Sequence, residues 1–143
     1  MRLLNVHTRR LEEFFGDAIP PYAILSHTWG HDEVVFKDFE TEEHRKKQSY
    51  VKIEGCCLEA KKHGFSFVWV DTCCIDKSSS AELSEAINSM FQWYQAASVC
   101  YAYLEDVPPG EDPYQFGTAF RKSRWHTRGW YATSAYNCDL NRC

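Results

Sequence analysis

Two carboxylates, Asp71 and Asp76, and two thiols, Cys73 and Cys74, follow the apolar run 65–70. A carboxylate can transfer a proton, stabilise a positive centre or bind a hydroxyl group, and a thiol can attack carbon once it is ionised. The run is rich in aromatic and β-branched residues, and its hydrophobicity does not alternate, which indicates a strand covered on both faces. Such a strand would deliver all four groups to its carboxyl end.

Two other segments share this arrangement of an apolar run followed by polar side chains. The run 22–25 leads into Ser26, His27 and Trp29, and the run 99–104 leads into two acidic residues. Both runs are short, as expected for strands.

Apolar residues recur at spacings of three and four in two stretches between these strands. The first stretch is 50–60, followed by Gly64 as a stop signal, and the second is 83–97; both patterns predict amphipathic helices. Ser79 and Glu82 have the S-x-x-E spacing of a capping box at the start of the second helix. The predicted order is strand, helix, strand, helix, strand.

This order predicts an α/β fold in which a parallel sheet is flanked by helices. Crossovers of this length join parallel strands through right-handed connections, so the polar ends of the strands should share one edge of the sheet. Open α/β sheets bind ligands at that edge. The side chains predicted to meet there are Ser26, His27, Trp29, Asp71, Asp76 and Lys77.

Length, charge and hydropathy narrow the class of protein. The 143 residues are 44% hydrophobic and suffice for one domain with its own core. The net charge of −4 and the lack of a long basic tract argue against a nucleic-acid partner. No apolar run approaches the roughly twenty residues that span a bilayer, and the first residues do not read as a secretion signal. We therefore expect a cytoplasmic protein without a membrane span.

The seven cysteines do not have the spacing of a metal site, since two pairs are adjacent and no C-x-x-C occurs. We predict no bound metal and reduced, mostly buried thiols. The expected small core residues are Cys56, Cys57 and Cys100. The alternative is a nucleophile at Cys73 or Cys74, which would need a lowered pKa and a nearby base such as His27.

Three longer strings resemble the blocks of the fungal heterokaryon incompatibility (HET) domain. They are Tyr-Ala-Ile-Leu-Ser-His-Thr-Trp-Gly at 22–30, Val-Trp-Val-Asp-Thr-Cys-Cys-Ile-Asp-Lys at 68–77 continued by 80–91, and Phe-Arg-Lys-Ser-Arg-Trp-His-Thr-Arg-Gly-Trp at 120–130. The resemblance implies a HET domain over 1–130, a cytosolic module of filamentous fungi that triggers cell death upon nonself recognition. It also implies protein partners, through self-association or through a nonself sensor.

The HET family is thought to be distantly similar to TIR domains, which have a flavodoxin-like parallel sheet. Some TIR domains cleave NAD at the nicotinamide ribosyl bond with a glutamate, so the resemblance implies NAD as a substrate rather than a tightly bound cofactor. By this analogy Ser26, His27 and Trp29 would line the ligand pocket together with Lys77. Asp71 and Asp76 would hold the ribose or neighbouring loops, and Trp125 would flank the nicotinamide.

The chain departs from the family pattern after Trp130. The family usually continues Thr-Leu-Gln-Glu-Leu into a helix that carries the glutamate, whereas this chain reads Tyr-Ala-Thr-Ser-Ala over 131–135 and ends at 143. Two explanations compete for 131–143: a genuine divergent tail, or a frameshift or retained intron in the gene model, which we favour. In either case we expect the last helix of the family to be missing.

Three hypotheses for function follow, and the third, a plain interaction module without any nucleotide site, is favoured if the ends of the three strands are packed shut. The first is a non-catalytic fragment of an incompatibility effector, because the expected glutamate is absent. The alternative is a TIR-like NAD glycohydrolase that uses another carboxylate, with Asp71, Asp76 and Glu85 as weak candidates.

Overall fold

A five-stranded mixed sheet lies at the centre of the computed structural model, which describes residues 1–112 and 115–127. The strands are β1 (Arg2–Asn5), β2 (Leu11–Glu13), β3 (Ala23–His27), β4 (Phe67–Trp69) and β5 (Val99–Tyr103). Across the sheet they lie in the order β2-β1-β4-β3-β5. Within the described residues the α-helices are α1 (Phe36–Glu40), α2 (Tyr50–Lys62), α3 (Ser80–Ala96) and α4 (Ala119–Lys122), and 3₁₀ turns form at Gly16–Ala18, Glu43–Lys46 and Arg124–Thr127.

Strand β3 is the middle of three parallel strands. Ala23 is paired with Val68 of β4 on one side and with Val99 of β5 on the other. All five residues of β3 are buried, as continuous hydrophobicity predicts for a strand that is covered on both faces. The α/β class and the parallel arrangement of the three predicted strands are therefore confirmed.

The two long helices cover opposite faces of this parallel region. Leu25 and Tyr101 are register partners and lie on the α2 side, where Cys56 joins them around a cavity. Trp69 lies on the α3 side, with its ring centroid 5.5 Å from that of Trp93. Side chains of neighbouring residues on a strand point to opposite faces, so each strand supplies both layers of the core.

An N-terminal hairpin, which the sequence patterns do not predict, makes the sheet mixed rather than wholly parallel. Strand β1 is antiparallel to both β2 and β4, and its Leu3 and Leu4 are fully buried. The side-chain oxygen of Asn5 accepts hydrogen bonds from the amides of His7 and Thr8 and so shapes the turn. The hairpin covers the edge of β4 that the three parallel strands would leave open.

The start of α3 confirms only half of the predicted capping box. The hydroxyl of Ser79 accepts a hydrogen bond from the Glu82 amide at 3.3 Å. The Glu82 carboxylate does not return to Ser79. It accepts from the Asp76 amide at 2.8 Å and from Arg2 Nη1 at 2.6 Å, so it ties α3 to the preceding turn and to β1.

The five cysteines within the described residues are buried, as predicted, but they are not all reduced. Cys56, Cys57, Cys73 and Cys74 are reduced thiols in the core. Cys100 is buried in β5 and is disulfide-bonded, so the expectation of a reduced thiol is wrong at this position.

The tail 131–143, the helix expected to be missing and Trp130 lie outside the described residues. In the part of the chain that the structure describes, no helix has the length and apolar character needed to cross a membrane.

We predict that Arg9 and Glu54 couple the hairpin turn to α2. Two hydrogen bonds of 2.9 and 2.8 Å join the Arg9 guanidinium to the Glu54 carboxylate. Hydrogen bonding from Arg9 holds the pKa of Glu54 below its ordinary value. A double-mutant cycle of Arg9→Gln and Glu54→Gln in urea unfolding should give a coupling free energy of about 0.5–1 kcal/mol, because the pair is bidentate but partly exposed. The exposed Lys46–Glu43 pair is the control and should couple less; equal coupling would contradict the prediction.

Candidate functional site

Asp71 connects the carboxyl ends of β3 and β4. One carboxylate oxygen, Oδ1, lies 2.9 Å from Nε2 of His27, the last residue of β3. The other oxygen, Oδ2, accepts a hydrogen bond of 2.9 Å from Nε1 of Trp29. The side chain of His27 is 1% exposed and that of Asp71 is 15% exposed. Three residues that the sequence places at the sheet edge are therefore in direct contact.

The charge of Asp71 is stabilised by its neighbours. Burial acts to raise the pKa of Asp71, but the hydrogen bond and charge of His27, the charge of Lys77 and the bond from Trp29 outweigh it, so the pKa lies below its ordinary value. Nδ1 of His27 is 3.3 Å from the carbonyl oxygen of Thr28, so each ring nitrogen faces an acceptor. The carboxylate and the imidazole are both held in fixed positions.

Trp29 links this buried pair to the surface. Its side chain is half exposed, and Nζ of Lys77 lies 3.5 Å from its ring centroid. At this exposure a cation–π contact contributes about 0.5–1 kcal/mol. Lys77 therefore joins the predicted cluster through the indole ring and through its charge on Asp71.

Trp125 brings the C-terminal part of the described chain to the same sheet edge. It is 1% exposed, and its Nε1 donates a hydrogen bond of 3.0 Å to Oγ of Ser26 in β3. Asp106, just beyond β5, fixes the approach: its oxygens accept from the Ser123 hydroxyl at 2.6 Å and from the Arg124 amide at 2.8 Å. Ser26 and Trp125 are thus in contact, but the contact is buried.

The remaining predicted carboxylates lie apart from these contacts. Oδ1 of Asp76 accepts hydrogen bonds from the amide and the hydroxyl of Ser78, which shapes the turn before α3 and lowers the pKa of Asp76. Glu85 is exposed on α3. Within residues 1–112 and 115–127, no three His, Cys, Asp or Glu side chains are grouped so that they could hold a metal ion.

The buried thiols of Cys57 and Cys73 lack the lowered pKa of a nucleophile. Burial raises the pKa of Cys57 to about 12 and that of Cys73 well above its ordinary value. His27, the base considered for a thiol nucleophile, has its ring nitrogens directed at Asp71 and Thr28. A thiol without a lowered pKa is a poor nucleophile, so the contacts favour a core role.

A buried ion pair at the same edge escapes sequence reasoning. Nζ of Lys52 in α2 lies 2.5 Å from Oε1 of Glu33, and the side chains are 6% and 10% exposed. The same oxygen accepts from the Gly30 amide, and Lys52 also donates to the carbonyl of Thr28 at 3.3 Å. A lysine beside an apolar helical stripe ordinarily extends into solvent, so the pattern gives no sign of this role.

A cavity of about 780 Å³ lies beside this network, between α2, β5 and the segment 104–111. Lys52 and Leu25 form part of its wall. The described residues that line it do not include any of the seven side chains that the sequence assigns to a ligand pocket. Six of those seven contact one another at the strand ends and Asp76 is bonded to Ser78, whereas the cavity opens on the α2 side of β5.

Comparison with known protein families identifies the family of this chain. The model of the family described as heterokaryon incompatibility protein (HET) matches residues 22–113, more than half of the chain. The chain belongs to the HET family. The matched range contains the His27, Trp29 and Asp71 contacts.

One curated relative supports the same assignment. The HET chain is 54% identical over 119 residues to the vegetative incompatibility protein HET-E-1 of Podospora anserina. The alignment covers 78% of this chain but 9% of that protein, so the chain corresponds to a small part of its relative. No solved structure matches the chain significantly.

We predict that replacing Asp71 destabilises this HET domain and weakens its acid sensitivity. The folded-state pKa of Asp71 lies below its ordinary value, so its stabilisation is present above about pH 4 and is lost as pH falls through the folded pKa. Asp71→Asn should lower the free energy of unfolding at pH 7 by about 2–4 kcal/mol, because an amide group would oppose the N–H of His27 or Trp29. Urea unfolding at pH 7 and pH 3 measures both effects. Glu85→Gln is the exposed control, and equal stability of the two variants at pH 7 would contradict the prediction.

We predict that Cys57 and Cys73 of the native HET chain resist alkylation. Their buried, protonated thiols should react with iodoacetamide at pH 8 only through opening of the structure, so the labelling rate should rise with urea. Mass spectrometry of peptides after timed labelling gives the rate at each position. Rapid labelling of Cys73 in the native protein would instead favour the nucleophile hypothesis.

Proposed function

We propose that this chain is an effector module of heterokaryon incompatibility. It triggers cell death in the cytoplasm of filamentous fungi upon nonself recognition, and it acts through protein contacts rather than through catalysis. Its partners are other copies of the chain or a nonself sensor. Membership of the HET family and the likeness to HET-E-1 support the role in incompatibility.

One observation carries the non-catalytic part of the proposal: the residues of the sequence blocks bond to one another. Asp71 of the second block binds His27 and Trp29 of the first with its two oxygens. Trp125 of the third block binds Ser26 of the first through a buried hydrogen bond. Side chains that bond to one another in this way hold the strand ends in one fixed shape. These contacts therefore support a role of the three strings in maintaining a protein-binding surface.

The strand order supports a TIR-like architecture for the module. Among the three parallel strands, the first in sequence lies between the second and the third. A flavodoxin-like sheet begins with the same order. The antiparallel hairpin beside β4 is an addition to that pattern.

NAD cleavage is the alternative function, and it has a specific structural requirement. It requires a carboxylate that faces the reacting ribose and stabilises positive charge there. Asp71 has bonds on both oxygens, and Asp76 is bonded to Ser78. These contacts support a structural role for the two acids. Whether NAD is a substrate is tested by the experiment below.

We predict that induced expression of this chain in a filamentous fungus kills the cells without prior loss of NAD. Viability and cellular NAD should be followed together after induction. Asp76→Asn and Glu85→Gln serve as matched variants, because both acids lie outside the Asp71 contacts, and both variants should kill as the original chain does. Asp71→Asn should kill less, in proportion to the folded protein that remains.

Two outcomes would contradict the proposal in different ways. Full viability with folded, abundant protein would show that the chain does not trigger death. NAD loss before death, abolished by Asp76→Asn or Glu85→Gln at unchanged melting temperature, would identify a catalytic carboxylate and establish the alternative.

A further inference from the structure

The cavity beside α2 has the size and the position of a ligand site. Its volume of about 780 Å³ lies in the range of about 300–1,000 Å³ that is typical of small-molecule pockets. It adjoins Leu25 of β3 and Tyr101 and Tyr103 of β5, neighbouring strands at which the strand order reverses, since β4 lies on one side of β3 and β5 on the other. Open α/β sheets bind ligands at such a reversal of strand order.

The wall of the cavity suits a flat ring. Leu25, Tyr101, Tyr103 and Phe120 contribute aliphatic and aromatic surface. Aromatic side chains favour offset or edge-on packing with a second ring, which adds to the gain from burying apolar surface.

The charges around the cavity favour a cation. Three carboxylates, those of Glu59, Glu105 and Glu111, line it against one ammonium, that of Lys52. The Lys52 ammonium is already matched by Glu33, which is nine-tenths buried. Burial and the charge of Glu105 raise the pKa of the Tyr103 hydroxyl, as expected where the local potential is negative.

The carboxylates have partners that reduce this potential without removing it. Glu59 pairs with Lys62 and Glu105 with Arg124, and both cations are about two-thirds exposed, so solvent screens them. Glu111 accepts hydrogen bonds from the amides of Ala119 and Phe120, which carry no net charge. A phosphate-bearing ligand would meet repulsion here.

We propose that this cavity binds a small aromatic molecule that carries a positive charge and no phosphate. The site goes beyond the proposed function, because it depends neither on cell death nor on NAD. It would give the domain a binding function separate from the contacts that join its strand ends.

Three indoles of nearly equal size and different charge test the proposal. Tryptamine is cationic, tryptophol is neutral and indole-3-propionate is anionic. Titration of the full chain, followed by calorimetry or NMR, should give tryptamine a dissociation constant about tenfold below that of indole-3-propionate, with tryptophol between them. Added salt should narrow the difference.

Gly55 offers a way to block the site without disturbing the fold. It lies in α2 at the cavity wall, and a Cβ built there meets no atom within 4 Å. Gly55→Phe should occupy the cavity and abolish tryptamine binding, whereas Gly55→Ala should bind as the original chain does. Both variants should melt no lower than the original, because glycine is a poor residue for a helix interior.

A charge variant tests the selectivity separately from the shape. Glu59→Gln combined with Glu105→Gln should bring the affinities for tryptamine and indole-3-propionate together. Equal affinities for the three indoles in the original chain would overturn the proposal. Unchanged tryptamine binding in folded Gly55→Phe, or no binding of tryptamine at millimolar concentration, would also overturn it.

Discussion

The buried carboxylate of Asp71 is the constraint on which the sheet edge depends. A carboxylate removed from water is costly unless hydrogen-bond donors and a positive charge replace the solvent. His27 and Trp29 supply the donors, and Lys77 adds charge. Since His27 ends one strand and Asp71 follows its neighbour, this requirement fixes how far β3 and β4 extend relative to each other.

Other parts of the edge are joined to the same centre. The Thr28 carbonyl faces both His27 and Lys52, so the helix α2 and the loop after β3 are tied to the Asp71 pair. One residue before His27, Ser26 receives the buried indole N–H of Trp125. The sequence pattern of these side chains suggests a catalytic cluster. In the structure their contacts instead hold the strand ends and a distant turn together.

Sequence patterns predicted the elements whose hydrophobicity is periodic or continuous: α2, α3 and the three parallel strands. The hairpin escaped because its buried run is short and β2 reads Leu-Glu-Glu, which becomes a strand only by pairing with β1. Topology alone was enough to group His27, Trp29, Asp71 and Lys77. The Lys52–Glu33 pair and the cavity could not be predicted, since they depend on side-chain conformations and on the strand order, which local patterns do not encode.

The central position of β3 also has a kinetic consequence. Both of its partners, β4 and β5, come later in the chain, so β3 has no sheet to join while it is being synthesised. The five residues of β3 become buried only after β5 has left the ribosome. Pairing between segments so distant in the chain is slow. The sheet edge that Asp71 organises therefore forms only after synthesis has passed β5.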